Sequence, residues 1–147
     1  MVIVTTDVPM KYRFLNLPTY PDIYRGSGPL GGIHSAFVHS RAQAVFVAAC
    51  DTPFLAKDLI YHIINTDPQS SVRIPACQGK MHPLCGFYSR VCLPEIQHRL
   101  EQRQLKVLDL LKQVNTRTIE ITPDLEFYRK DLLLNLNEPK DLISVLS

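Results

Sequence analysis

The segment QAVFVAACDTPFL, residues 43 to 55, sets seven consecutive apolar residues, Ala44 to Cys50, directly before Asp51, Thr52 and Pro53. An unbroken run of that length is the pattern of a β-strand covered on both faces, and two covered faces require helices on both sides of a sheet. The run therefore points to an α/β architecture. Asp51, at its polar end, has two readings. It is the N-cap of a helix starting at Thr52-Pro53, worth about 1 kcal/mol, or it is a ligand for magnesium, a hard cation that shares its oxygen shell with water and substrate phosphates. Placement alone leaves both open, and Thr52 could cap instead.

The rest of the chain fits the same architecture. Val2-Ile3-Val4 is a β-branched strand with a polar tip at Thr5 to Asp7. Residues 8 to 15 suit a short helix, and Leu17 to Tyr20 an extended piece. DIYRGSGPLGG, residues 22 to 32, holds four of the six glycines and reads as a loop into a helix over Leu30 to Ser40, with apolar residues at 30, 33, 36 and 37. The helix after Asp51 carries Leu55, Leu59, Ile60, Ile63 and Ile64 and ends near Thr66 to Pro68. Val72 to Ala76 and Leu84 to Tyr88 read as strands joined around Gly79, too far apart for the tightest hairpin turn. Leu93 to Val114 is helical in period with a break near Gln102 to Gln104, Thr116 to Thr122 is a strand, and a short strand near Leu132 to Leu136 precedes a last helix.

Bulk properties narrow the partners. At 147 residues the chain has the size of one domain with a real core. Sixteen basic against 14 acidic residues leave a net charge of +2, which argues for neither nucleic acid nor an anionic membrane. No apolar run is long enough for a membrane span and no secretory signal is evident. Cys50, Cys77, Cys85 and Cys92 contain no CxxC pair, so a reducing, cytoplasmic setting is expected. The histidines at 34, 39, 62, 82 and 98 form no HExxH pattern, and there is no GxSxG elbow.

Three polar spots fall where strands end: Thr5 to Asp7, Asp51, and Asn135 with Asn137. Ligands in open α/β sheets bind beyond such ends. Asn135 and Asn137 share one strand face by period, unless Asn137 caps the following helix. GSGPLGG lacks the P-loop lysine, so a plain helix entry is the simpler reading, although Gly31 and Gly32 would let a flat ligand approach the backbone. Asp22 is by default a turn residue.

Taken in order, VIVTTDV, Pro21-Asp22, GPLGGIHSAF, VAACDTPFL, HPLCGFYSR and LNLNEPKDL resemble the molybdenum cofactor guanylyltransferases of the nucleotidyltransferase superfamily, almost from end to end. The resemblance implies a three-layer, mostly parallel, Rossmann-like sheet with a small antiparallel addition. It also implies in-line attack by the phosphate of molybdopterin on the α-phosphorus of GTP, with pyrophosphate released. By position, Asp51 would hold magnesium, and Thr5, Thr6 and Asp22 would lie by the nucleotide. Gly28, Pro29, Leu30, Gly31 and Gly32 would bound its pocket, while Pro83, Asn135 and Asn137 would face the pterin. Molybdenum cofactor biosynthesis or acceptor proteins would be partners.

Family members open with a strand and a loop of the form LAGGxSxRMGxDK, which these residues lack. The chain is therefore expected to be a single domain incomplete at its N-terminus, lacking the first strand and phosphate loop. Such a chain should be weakened or prone to associate, with little transferase activity alone. The competing readings are a cytidylyltransferase or another nucleotidyltransferase of the same fold, and a non-catalytic nucleotide-binding remnant.

Overall fold

The computed structural model describes residues 1–136, and within them seven strands fall into two sheets that share no ladder. In the first, β1 (Val4–Thr6) runs parallel to β2 (Thr19–Pro21), with Thr5 opposite Tyr20. The expected helix between them is a 3-10 helix, Pro9–Leu15, stopped by Asn16 at a φ of 52°. The second sheet is ordered β3 (Ala44–Ala48), β6 (Cys85–Ser89), β4 (Val72–Cys77) and β7 (Thr116–Glu120), with β5 (Lys80–Met81) pairing the far end of β4.

Period-two alternation sends side chains from this sheet into two cores. Val72 and Ile74 of β4 and Tyr88 of β6 pack with Leu30, Ile33 and Phe37 of α1 (Gly28–Ser40), and with Ile96 and Leu100 of α3 (Leu93–Glu101). Val107 and Leu110 of α4 (Val107–Leu111) close that core. Cys85 and Ile119 point the other way, onto Leu59 and Ile63 of α2 (Lys57–Asn65). Val45 and Val47 join the first core and Phe46 the second, so the apolar run of β3 does face helices on both sides. This is the three-layer α/β arrangement expected from the run.

Strand directions follow from α1. Thr5 Oγ1 donates to Gly32 O at 3.1 Å near the start of the helix. Arg90 Nη1 donates to Phe37 O and Ala42 O near its end, and Arg90 N donates to Gln43 O, where β3 begins. β3 thus runs back toward the start of α1, parallel to β1 and β2. β4 and β7 run the same way and only β5 and β6 oppose them, so the sheet is mostly parallel in direction.

Two local expectations are corrected and one is refined. α2 begins at Lys57, not at Thr52-Pro53, because Thr52 Oγ1 bonds back to Ala49 O at 2.8 Å and holds residues 49 to 55 in turns. The connection from β4 to β6 is longer than the tightest turn, as expected, but it holds a further strand: Gln78 and Gly79, at φ of 52° and 77°, form a two-residue turn that brings Cys77 opposite Lys80 of β5. The intervening β5 is too short to read from period. Leu132 and Leu133 bury themselves through a turn, closed by Leu132 N to Arg129 O and Leu134 N to Asp131 O, rather than a strand. The last helix and Asn137 lie outside the described residues.

Gly86 marks where β6 passes closest to β4. A Cβ there would stand 2.8 Å from Ile74 Cγ2 and 2.9 Å from Arg73 O. Gly86→Ala is expected to destabilise the fold by about 1–3 kcal/mol, read as a lowered urea midpoint with an unchanged slope.

Candidate functional site

The chain passes from β1 to its parallel partner β2 and then through α1, which packs on strands of both sheets, to β3. Ligands of open α/β sheets bind beyond the carboxyl ends of the strands. The polar residues singled out above fall into two groups at such ends.

The first group surrounds the start of α1. Thr5 Oγ1 is committed to Gly32 O, and Thr6 Oγ1 accepts from Val8 N at 3.2 Å, closing the tip of β1. Asp22 follows β2 with its N–H on Thr6 O, and its carboxylate lies 4.0 Å from where a Cβ of Gly32 would stand. Asp22 is 9% exposed and its Oδ1 has no partner. Burial raises its pKa, the Asp7 carboxylate raises it further, and His39 works in the opposite direction. Gly31 cannot carry a side chain without pressing on Tyr24 O at 3.0 Å. Gly28 and Pro29 open α1, whose start no side chain caps, so its positive dipole end is available to an anion. Leu30 is different: its side chain is fully buried in the core, so only its backbone borders this end.

The second group lies beyond β3. Asp51 is not a helix cap, since α2 starts at Lys57 on Ala56, with no side-chain cap bond. Its Oδ2 accepts from Asn135 Nδ2 at 3.2 Å, its carbonyl accepts from Leu136 N at 2.8 Å, and its Oδ1 is buried with no partner among the described residues. A buried carboxylate oxygen without a donor is costly unless something positive faces it. Pro83 belongs to the same end: Ala49 N donates to Leu84 O at 2.8 Å, and Tyr88 Oη donates to Pro83 O at 2.7 Å. Among the described residues, no group of three or more His, Cys, Asp or Glu side chains could hold a metal. A cation at Asp51 would therefore need water or substrate to complete its shell.

Three further residues shape the first group, and sequence reasoning singled out only Asp7 among them. Asp7 accepts from Gly26 N at 3.1 Å and so ties the β1 tip to the glycine loop. Ser35 Oγ accepts from Ile23 N at 2.9 Å, fixing the backbone beside Asp22. His39 stacks on Tyr20 with ring centroids 4.4 Å apart. Asp7 was visible as part of a polar strand tip, whereas Ser35 and His39 carry no local signal because their partners are Ile23, just past β2, and Tyr20 of β2.

Residues 1–117 match the family model described as the MobA-like NTP transferase domain. The chain belongs to this family. A relative from Carboxydothermus hydrogenoformans, named probable molybdenum cofactor guanylyltransferase, is 33% identical over 148 residues, covering 99% of this chain and 73% of its own length. One of the same name from Halalkalibacterium halodurans is 37% identical over 81% of this chain and 61% of its own. Among solved structures, an Aquifex aeolicus protein superimposes with a TM-score of 0.81 at 28% identity, over 93% of this chain and 71% of its own. The molybdopterin-guanine dinucleotide biosynthesis protein A of Archaeoglobus fulgidus, at 23% identity and a TM-score of 0.80, shares the fold over 97% of this chain and 75% of its own. The MobA-like NTP transferase fold thus frames both residue groups, and the chain is a nucleotidyltransferase by family.

The raised pKa of Asp22 has a sign. A carboxyl whose folded pKa exceeds its unfolded value favours folding at low pH, and that contribution is lost as pH rises through the folded pKa. Asp22→Asn, which stays neutral throughout, is expected to raise the urea midpoint at pH 7 and to leave it unchanged near pH 3. An equal effect at both pH values would show that burial of the charge is not the cause.

Proposed function

We propose that this chain contributes to guanylyl transfer, in which an oxygen of the molybdopterin phosphate attacks the α-phosphorus of GTP in line. The bond from that phosphorus to the bridging oxygen breaks and pyrophosphate leaves. The attacking phosphate is already ionised at neutral pH, so the protein's part is to position two anions and offset their charge. The observation that carries this reading is Asp51, with Oδ2 held by Asn135 and Oδ1 buried and unpartnered among the described residues beyond β3. That arrangement fits a magnesium ion, which when bound neutralises charge on the nucleotide phosphates. Asn135 orients the carboxylate and leaves one oxygen free for the metal. The start of α1 and Gly32 border the nucleotide, with Thr5, Thr6 and Asp22 beside it, and Pro83 and Asn135 face the pterin, joined by Asn137 outside the described residues.

The names of the relatives support the guanylyl over the cytidylyl reaction. No helix among the described residues is long and apolar enough to cross a membrane. With four free cysteines, that fits the cytoplasm and substrates in solution, with cofactor biosynthesis or acceptor proteins as partners. The two unjoined sheets favour a second reading, in which the chain alone binds nucleotide without turning it over.

GTP binding is expected to need magnesium and to be lost in Asp51→Asn, as read by calorimetry with CTP as competitor. Asn135→Ala should weaken magnesium about 10- to 100-fold without abolishing it, as for partners that orient a ligand. A clear CTP preference would replace guanylyl by cytidylyl transfer. Binding without turnover would favour the second reading, and no binding with or without magnesium would remove both.

A further inference from the structure

The structure assigns an anion-binding pocket to the break between α3 and α4, suited to a small anion with two or more linked phosphoryl groups. The segment HRLEQRQLK, residues 98 to 106, holds Arg99, Arg103 and Lys106. By period alone these would line a solvated helix face. The fold instead ends α3 at Glu101, and Arg103, at a φ of 56°, turns the chain so that Gln104 N donates to Arg99 O at 2.8 Å. In α4, Val107, Leu110 and Leu111 are buried in the core, which leaves Lys106, Asp109 and Lys112 toward the outside. Between the end of α3 and this side of α4 lies a pocket of about 450 Å³, and it shares no lining residue with the groups around Asp22 and Asp51.

Arg99 separates this hollow from an ordinary basic surface. It is only 7% exposed, and its Nε donates to Glu95 Oε1 at 3.0 Å, which fixes the plane of the guanidinium. Its Nη1 and Nη2 have no acceptor among the described residues, yet neither is sealed from solvent, so their open side is the pocket that Arg99 lines. A buried guanidinium is costly while its N–H groups lack acceptors. A planar fork with two free donors matches two oxygens of one phosphoryl group.

The remaining lining narrows the ligand. Arg99, Arg103, Lys106 and Lys112 stand against one carboxylate, Asp109, and Lys112 Nζ is paired with it at 2.9 Å. Arg103 and Lys106 have no carboxylate partner among the described residues and stay available beside the fork of Arg99. One phosphoryl group occupies the fork; two further cations call for a second group linked to it. Leu105 is the one apolar side chain in the lining, so no base, ring or acyl chain is recognised here. The shared chemistry is a phosphate chain, supplied by free pyrophosphate or by a nucleotide.

The test titrates the full chain by calorimetry in EDTA, so that no magnesium acts at Asp51, with inorganic pyrophosphate, orthophosphate, GTP and a peptide of consecutive glutamates. Pyrophosphate is expected to bind about tenfold or more tighter than orthophosphate, and to weaken as salt is added. Arg99→Gln should weaken it about tenfold or more. Because that change also breaks the pair with Glu95, Arg103→Gly is the second variant: glycine favours the φ of residue 103, so the urea midpoint should hold or rise while pyrophosphate binding falls severalfold. Displacement of pyrophosphate by GTP would make a nucleotide's phosphates the source, and no displacement would make it free pyrophosphate. Absent binding, equal binding of orthophosphate or of the glutamate peptide, indifference to both variants, or loss of binding in Asp51→Asn would each overturn the pocket. A chain that binds pyrophosphate here but shows no magnesium-dependent GTP binding fails the functional reading and not this one.

Discussion

The ladder between β3 and β6 positions more of this protein than any other contact. Its antiparallel pairs run from Ala44 opposite Ser89 to Ala48 opposite Cys85, and Ala49 N to Leu84 O extends them by one step. Register is decided by burial: a shift of one residue would send Phe46 toward the α1 core and Val45 and Val47 toward α2. It is also what delivers Asp51 to Leu136 and sets Pro83 beside the end of β3. At the other end of the ladder, Arg90 reaches Phe37 O in the last turn of α1 and Ala42 O just beyond it, so one pairing anchors both the site and the helix above it.

The candidate site has two groups, one following β2 and one following β3. In the first Asp22 Oδ1 and in the second Asp51 Oδ1 is buried without a donor among the described residues. Carboxylate oxygens left in low dielectric without a partner cost stability, and such costs concentrate where a ligand supplies what is missing. In the proposed function, magnesium with nucleotide phosphates would meet that need at Asp51. At Asp22, whose charged form is disfavoured by burial and by Asp7, a neutral hydrogen-bonding group of a base or sugar suits better.

Much of this was legible in the chain itself. The apolar run before Asp51, the apolar spacing of α1 and the break between α3 and α4 are local patterns, and each element formed where its period indicated. Asp51 and Asn135, noted separately as polar strand ends, do meet. Elements failed to match where local chemistry was overridden: Thr52 spent its side chain on Ala49 O instead of capping, and Leu132 and Leu133 were drawn into the α2 core through a turn.

The sequence by itself determined the layered α/β class and the candidate polar tips, because both rest on spacing within a few residues. Only the tertiary structure decided that Asp51 caps nothing, that one of its oxygens is held by a residue 84 positions away, and that among the described residues the other has no partner and the two sheets share no ladder. Those facts depend on which strand edges pair, and edge pairing is settled by burial summed over the whole sheet rather than by any segment alone.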